Sequence, residues 1–152
     1  MSVDDGAAAN LAAEGTRRGV VVLNRDAFFG IRIGNVLRAL GYDVTFVKDA
    51  ATFSERCRAA DHAPFIGVVD INADVDWSEI GAFTVDPTTT TPLLAFGSHL
   101  DIAGRRAAKT AGVRRVVTNG EFHQNMVELV GRYGRDSAST ADIDPSVGGQ
   151  NG

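Results

Sequence analysis

The stretch "FIGVVDIN", residues 65–72, is a run of apolar, β-favouring residues that ends on an acid, Asp70. Continuous apolar character of this kind belongs to a strand buried on both faces, as in a parallel sheet. The acid at its end has two readings. It takes part in chemistry, as a phosphate acceptor would, or it marks the place where a buried strand reaches water. The ends of the neighbouring strands decide between them.

Upstream, "GVVVL" (19–23) is a second run of the same type. Ile33, Val36, Leu37 and Leu40 then fall on one helical face, and Gly41 follows as a natural stop. "DVTFV" (43–47) reads as a strand, and Phe53 and Cys57 share a face of a short helix before the turn at 61–64. Downstream, "WSEIGAF" (77–83) carries only a weak helix signal and "DPTTTT" (86–91) reads as a loop, so 75–91 is open between helix and long loop. Pro92 introduces the strand "LLAFG" (93–97), an Ala/Arg-rich helix covers 101–111 before Gly112, and "RVVT" (115–118) is the fifth strand. Phe122, Met126, Leu129, Val130 and Tyr133 then predict one amphipathic helix. Short apolar strands separated by helix-length crossovers define an α/β fold, a doubly wound (βα)5 arrangement around a five-stranded parallel sheet. Ligands and chemistry in such a sheet gather at the carboxyl ends of the strands. Here those ends are Asn24-Arg25-Asp26, Asp70-Ile71-Asn72, Gly97-Ser98-His99 and Thr118-Asn119.

Composition narrows the class. The 152 residues suffice for one domain, with 44% hydrophobic and 22% charged residues and a formal net charge of -4. That balance gives no general drive toward nucleic acid or an anionic membrane. A single cysteine, Cys57, excludes an internal disulfide framework and fits a reducing compartment. No apolar run reaches membrane-span length, and the N-terminus is acidic where a signal peptide is basic, so a cytoplasmic location is expected. Residues 1–16 and 134–152 hold little to bury and are expected to be disordered, leaving 17–133 as the domain.

The segments "VVLNRD", "LRALGYDV", "GVVDIN", "PLLAFGS" and "AGVRRVVTNGEF", in this order and spacing, resemble a response-regulator receiver domain of the CheY-like superfamily over residues 18–133. The resemblance implies a flavodoxin-like fold and a phosphorylation site with two acids after the first strand and a phosphoaccepting aspartate after the third. It also implies a Thr or Ser after the fourth strand and a lysine after the fifth. The acids would hold Mg²⁺, a hard ion that takes oxygen ligands, while hydroxyl and lysine would bind phosphoryl oxygens. In this chain the acceptor position is Asp70, followed by Asn72 where the family offers a carbonyl to the metal. The acidic pair falls on Asn24 and Arg25, with Asp26 one place late. The hydroxyl position falls on Gly97, followed by Ser98, and the lysine position on Asn119, preceded by Thr118. A guanidinium cannot ligate a metal. Arg25 is therefore expected to pair with Asp70 as a built-in cation, unless a one-residue shift turns Asp26 inward and Arg25 outward.

Other candidates are weaker. "FGSHLD" (96–101) places Ser98, His99 and Asp101 together, but hydrolase triads come from separated loops, so Ser98 or Asp101 is read as a helix cap. His62 and His123 lie on predicted surface turns without metal-spaced partners, and Cys57 reads as core. Gly30, Gly34 and Gly41 do not form a dinucleotide fingerprint. Arg105, Arg106, Lys109, Arg114 and Arg115 concentrate positive charge around the fourth helix and fifth strand. They form a solvated face or a partner surface, because receivers resemble one another in using this face and the last helix for output and homodimer formation.

The expected function is that of a receiver-like, two-component-type signalling module working through protein partners rather than catalysis, with an altered phosphorylation site and no cofactor. The first alternative is a phosphorylatable receiver with Asp70 as acceptor and Mg²⁺ held by Asp26 and Asp70. The second is a flavodoxin-like domain binding a small ligand in an apolar cleft around Phe28, Phe29 and Phe96.

Overall fold

A computed structural model describes residues 18–59 and 62–135. Five parallel strands, β1 (Gly19–Leu23), β2 (Asp43–Val47), β3 (Ile66–Asp70), β4 (Leu93–Gly97) and β5 (Arg115–Thr118), lie in the order β2-β1-β3-β4-β5. Six helices connect and cover them: α1 (Ala27–Ala39), α2 (Ala50–Cys57), α3 (Trp77–Val85), α4 (Ile102–Thr110), α5 (Asn119–Gln124) and α6 (Met126–Tyr133). This is the doubly wound flavodoxin-like arrangement expected, and its chain reversal falls between β1 and β3. Among the described residues no helix is long and apolar enough to cross a membrane.

Strand alternation divides the core into two layers. Val21, Leu23, Val69, Leu93 and Ala95 point to one face and pack beneath α2, α3 and α4 with Phe53, Ile80 and Phe83. Val20, Val22, Val68, Leu94 and Phe96 point to the other and pack beneath α1, α5 and α6 with Ile33, Leu37, Phe122 and Val130. Both faces are therefore dry, which is why β1, β3 and β4 read as unbroken apolar runs. Each fully buried large side chain contributes roughly 1.5–3 kcal/mol relative to exposure.

Helix boundaries follow local chemistry. Asp26, Asp49, Asp76 and Asp101 cap α1, α2, α3 and α4 by accepting backbone N–H bonds in the first turn. Gly41 and Gly112 follow α1 and α4 at φ 92° and 93°, the left-handed conformation that a side chain disfavours. The open segment 75–91 contains a true helix, α3, because the Asp76 cap supplements a weak periodicity and Ile80 and Phe83 find the core. The single last helix predicted from periodicity is two, broken at Asn125 (φ -122°, ψ 29°). Phe122 and Met126 are nonetheless both buried, one on each side of the break. Beyond Tyr133 the chain stays attached. The Arg135 amide donates to the Phe65 carbonyl at 2.7 Å, and its guanidinium donates to the carbonyls of Ala63 and Pro64. The remainder of both terminal segments called disordered above lies outside the described residues.

Candidate functional site

Strand register brings the four candidate loops to one edge of the sheet. Leu23 pairs with Val69, Asp70 with Phe96 and Gly97 with Thr118, so Asn24, Asp70, Gly97, Thr118 and Asn119 lie side by side at the carboxyl ends. Asp70 is at the centre and only 2% exposed. Its Oδ1 accepts the Asn72 amide hydrogen at 3.0 Å, closing the tight turn Ile71–Ala73 that follows. Burial pushes the Asp70 carboxyl above its ordinary pKa. The Asn72 N–H opposes the shift, and the Asp26 charge adds to it.

The anticipated cation is not beside it. Arg25 extends to the rim, where Nη1 lies 3.9 Å from Asp74 Oδ2, with both side chains largely exposed. The cause is the fold of its own loop. Asn24 is buried and curls back on the chain, Nδ2 donating to the Asp26 carbonyl at 2.8 Å and Oδ1 accepting the Asp26 amide at 3.2 Å. That turn carries residue 25 outward, and a guanidinium left in water avoids the desolvation that a buried ion pair demands. The expected Arg25–Asp70 pair is thus replaced by an exposed Arg25–Asp74 contact. Asp26 does not simply take its place, because its Oδ1 accepts the Phe28 and Phe29 amides at 2.9 and 3.2 Å as the α1 cap. Arg25→Ala is expected to lower unfolding free energy by less than about 1 kcal/mol in urea titration, as for exposed pairs. Loss of a buried partner would instead cost about 3–5 kcal/mol.

The remaining positions are also occupied structurally. A Cβ at Gly97 would meet Ile71 side-chain atoms at 3.0 Å, so Ile71 fills the space a hydroxyl-bearing side chain would need. Ser98 Oγ accepts the Leu100 amide at 3.1 Å, and Thr118 Oγ1 caps α5 by accepting the Glu121 amide at 3.1 Å. Asn119 Oδ1 is buried without a hydrogen-bond partner among the described residues. Within "FGSHLD" it is Asp101 that caps α4, accepting the Gly104 amide at 2.8 Å.

The residues present do not suit Mg²⁺. A hard divalent cation wants several converging oxygen ligands. Of the two carboxylates here, Asp26 is engaged through Oδ1 by the α1 terminus and Asp70 through Oδ1 by the Asn72 amide, while the Asn24 amide is folded into its own loop. No group of three His, Cys, Asp or Glu side chains able to hold a metal occurs among the described residues.

Two further readings change. His123, expected on a solvated turn, is half-buried on α5 with both ring nitrogens unpartnered among the described residues. Its ring centre lies 4.4 Å from Phe29 and meets Phe96 edge-on at 5.6 Å. Burial, with the nearby Arg32 charge, lowers its pKa, and the Asp26 charge partly opposes this. The three rings expected around an apolar cleft are placed apart: Phe96 is fully buried and stacks on Phe122 at 4.3 Å, Phe29 meets its edge, and Phe28 stands in solvent.

On the charged face, Arg105 Nη2 donates to the His99 carbonyl, and Arg115 lies 3.6 Å from Glu121. Arg106, Lys109 and Arg114 are exposed. Cys57 is core, its thiol pushed up to about 12 by burial, and His62 is exposed.

Strand order, helix placement and the aspartate ending β3 define the fold of a response-regulator receiver domain. No family model matches the chain, and no curated protein matches it in sequence. Solved structures share the fold at low identity. The receiver domain of a sensor histidine kinase from Pseudomonas aeruginosa, solved with a magnesium ion in its active-site cleft, superposes with TM-score 0.66 at 16% identity, covering 77% of this chain and 97% of that one. The Vibrio cholerae chemotaxis protein CheY4 gives 0.63 at 12% identity, covering 77% and 98%. The NtrX receiver domain of Brucella abortus gives 0.61 at 14% identity, covering 74% and 95%.

Proposed function

We propose that this chain is a cytoplasmic, non-enzymatic receiver-like signalling module that acts by docking onto protein partners, without Mg²⁺-dependent phosphorylation. The domain spans about residues 17–133, extended by the Arg135 contacts. The observation that carries the reading is Asp70 itself, buried at the receiver acceptor position with no cation facing it among the described residues, while Arg25 is drawn to Asp74. Phosphoryl transfer to a carboxylate adds negative charge where charge is already disfavoured, and stabilising it calls for nearby cations. Arg106, Lys109, Arg114 and Arg115 form the exposed part of the candidate partner or homodimer surface.

The proposal is checked by intact mass after incubation with acetyl phosphate and Mg²⁺, beside Asp70→Asn. Neither protein is expected to gain a phosphoryl group, and Mg²⁺ is expected to leave the melting temperature unchanged. The second reading, Asp70 as a phosphoacceptor, is favoured by the Asp26 charge acting on Asp70. A phosphoryl adduct on the wild type alone would establish it and end the first.

A further inference from the structure

A second concavity lies at the sheet's edge, between α1 and the outermost strand β2, and is lined by different chemistry. It has a volume of about 320 Å³, at the small end of the range for small-molecule sites. Arg25, Arg38 and Lys48 line it with one carboxylate, Asp26, whose Oδ1 already accepts two helix amides. Three cationic residues line this concavity on a chain whose net charge is -4, so the cluster does not follow from a basic composition.

The walls are equally specific. Phe46 and Ile31 supply an apolar side, the Phe46 ring half-buried and Ile31 exposed. Gly30 lies on the same wall, where a Cβ would crowd Asn24 Nδ2 at 2.9 Å and only touch the Phe46 ring at 3.7 Å, so its bare backbone makes room for the Asn24 side chain. One turn on, Gly34 makes space for Arg38 to fold back: a Cβ there would meet Arg38 Nη1 at 2.9 Å. Arg38 is held in place, its Nη2 donating to the Val44 carbonyl at 2.9 Å and its guanidinium 5.6 Å from the Phe46 ring centre. A guanidinium has five N–H donors, so this bond leaves several for a ligand. Arg25 is tied only by its long, exposed contact with Asp74 among the described residues.

The geometry points to a binding site for a small organic phosphate of mononucleotide size, its phosphate taken by Arg25, Arg38 and Lys48 and its planar ring laid against Phe46 and Ile31. Three donors of fixed positive charge match a dianionic phosphate with three equivalent oxygens better than a single carboxylate, and the arginine forks can bind it bidentately. The aromatic wall adds a surface on which a flat ring stacks.

The test uses the full chain, titrated calorimetrically with AMP and GMP, the corresponding nucleosides and inorganic phosphate, with amide NMR shifts locating the site. The nucleotides are expected to bind saturably and move residues 24–31, 38 and 46–48. Nucleosides and inorganic phosphate are expected to bind at least about tenfold more weakly. Lys48 is exposed, so Lys48→Glu should keep the wild-type melting temperature while weakening nucleotide binding about tenfold or more. Absence of saturable nucleotide binding, shifts confined to other residues, or binding unchanged in Lys48→Glu would each overturn the site. Inorganic phosphate binding as tightly as the nucleotides would overturn the assigned ligand.

Discussion

Asp70→Asn is expected to be more stable than the wild type at pH 7, by on the order of 1–3 kcal/mol, the penalty of a buried polar group left without adequate partners. The asparagine keeps the Oδ1 that accepts the Asn72 amide and removes a charge that no nearby cation among the described residues compensates. The pH dependence gives the sign. An unfolded aspartate ionises near 3.8, whereas burial, with Asp26 adding repulsion, raises the folded value. Between the two, the folded protein holds a proton that the unfolded chain has released. The Asp70 contribution is therefore fully present below about pH 4 and is lost as pH rises through the folded pKa. Urea unfolding of both proteins across this range should show the advantage of the Asp70→Asn variant growing with pH and vanishing in acid. His123, whose pKa burial lowers, loses stability in the opposite direction as pH falls through its range, but it does so in both proteins. The difference between the two curves isolates Asp70. A less stable variant at pH 7 would mean that a cation does face the carboxylate.

Phe96→Ala carries a larger and simpler effect. The Phe96 ring is fully buried, lies nearly parallel to Phe122 at an interplanar angle of 4°, and is bordered by Phe29 and His123. Its backbone pairs with Asp70, so the cavity left behind would open directly under the candidate site. Truncating a buried phenylalanine removes transfer free energy and leaves a void, about 3–5 kcal/mol together. For a domain stable by roughly 5–15 kcal/mol that is a large fraction. The expected result is a much lower urea midpoint at an unchanged slope. Phe28→Ala on the same aromatic run should move it by less than about 0.5 kcal/mol, since that ring is 75% exposed. Similar losses for both would mean that Phe28 is packed rather than solvated.

Much of this was legible in residue order. "GVVVL", "FIGVVD" and "LLAFG" could only be strands covered on both faces, and the capping aspartates and Gly41 mark helix ends through bonds a few residues long. Asp70 stood out because an acid closed the most buried strand. What residue order could not reach depends on contacts between distant segments. Arg25 is expected to pair with Asp70 because it falls where a receiver carries a metal-binding acid, yet the Asn24 turn aims the guanidinium at Asp74. His123 looked solvated because nothing near it in sequence signals that Phe29 and Phe96 enclose it. The cationic cavity had only a faint trace, Gly30, Gly34 and Arg38 spaced four apart on α1, with Phe46 and Lys48 two apart along and just past β2.

The parallel (βα)5 fold is readable from residue order, because hydrophobic period and capping chemistry act within one element and survive in a linear reading. The chemistry at the strand ends depends on how distant segments pack together. Side-chain direction there is set by loop turns and by which distant groups share the same low-dielectric space. Among the described residues Asp70 is left without a facing cation, and Arg25 lines a cavity elsewhere, for that reason.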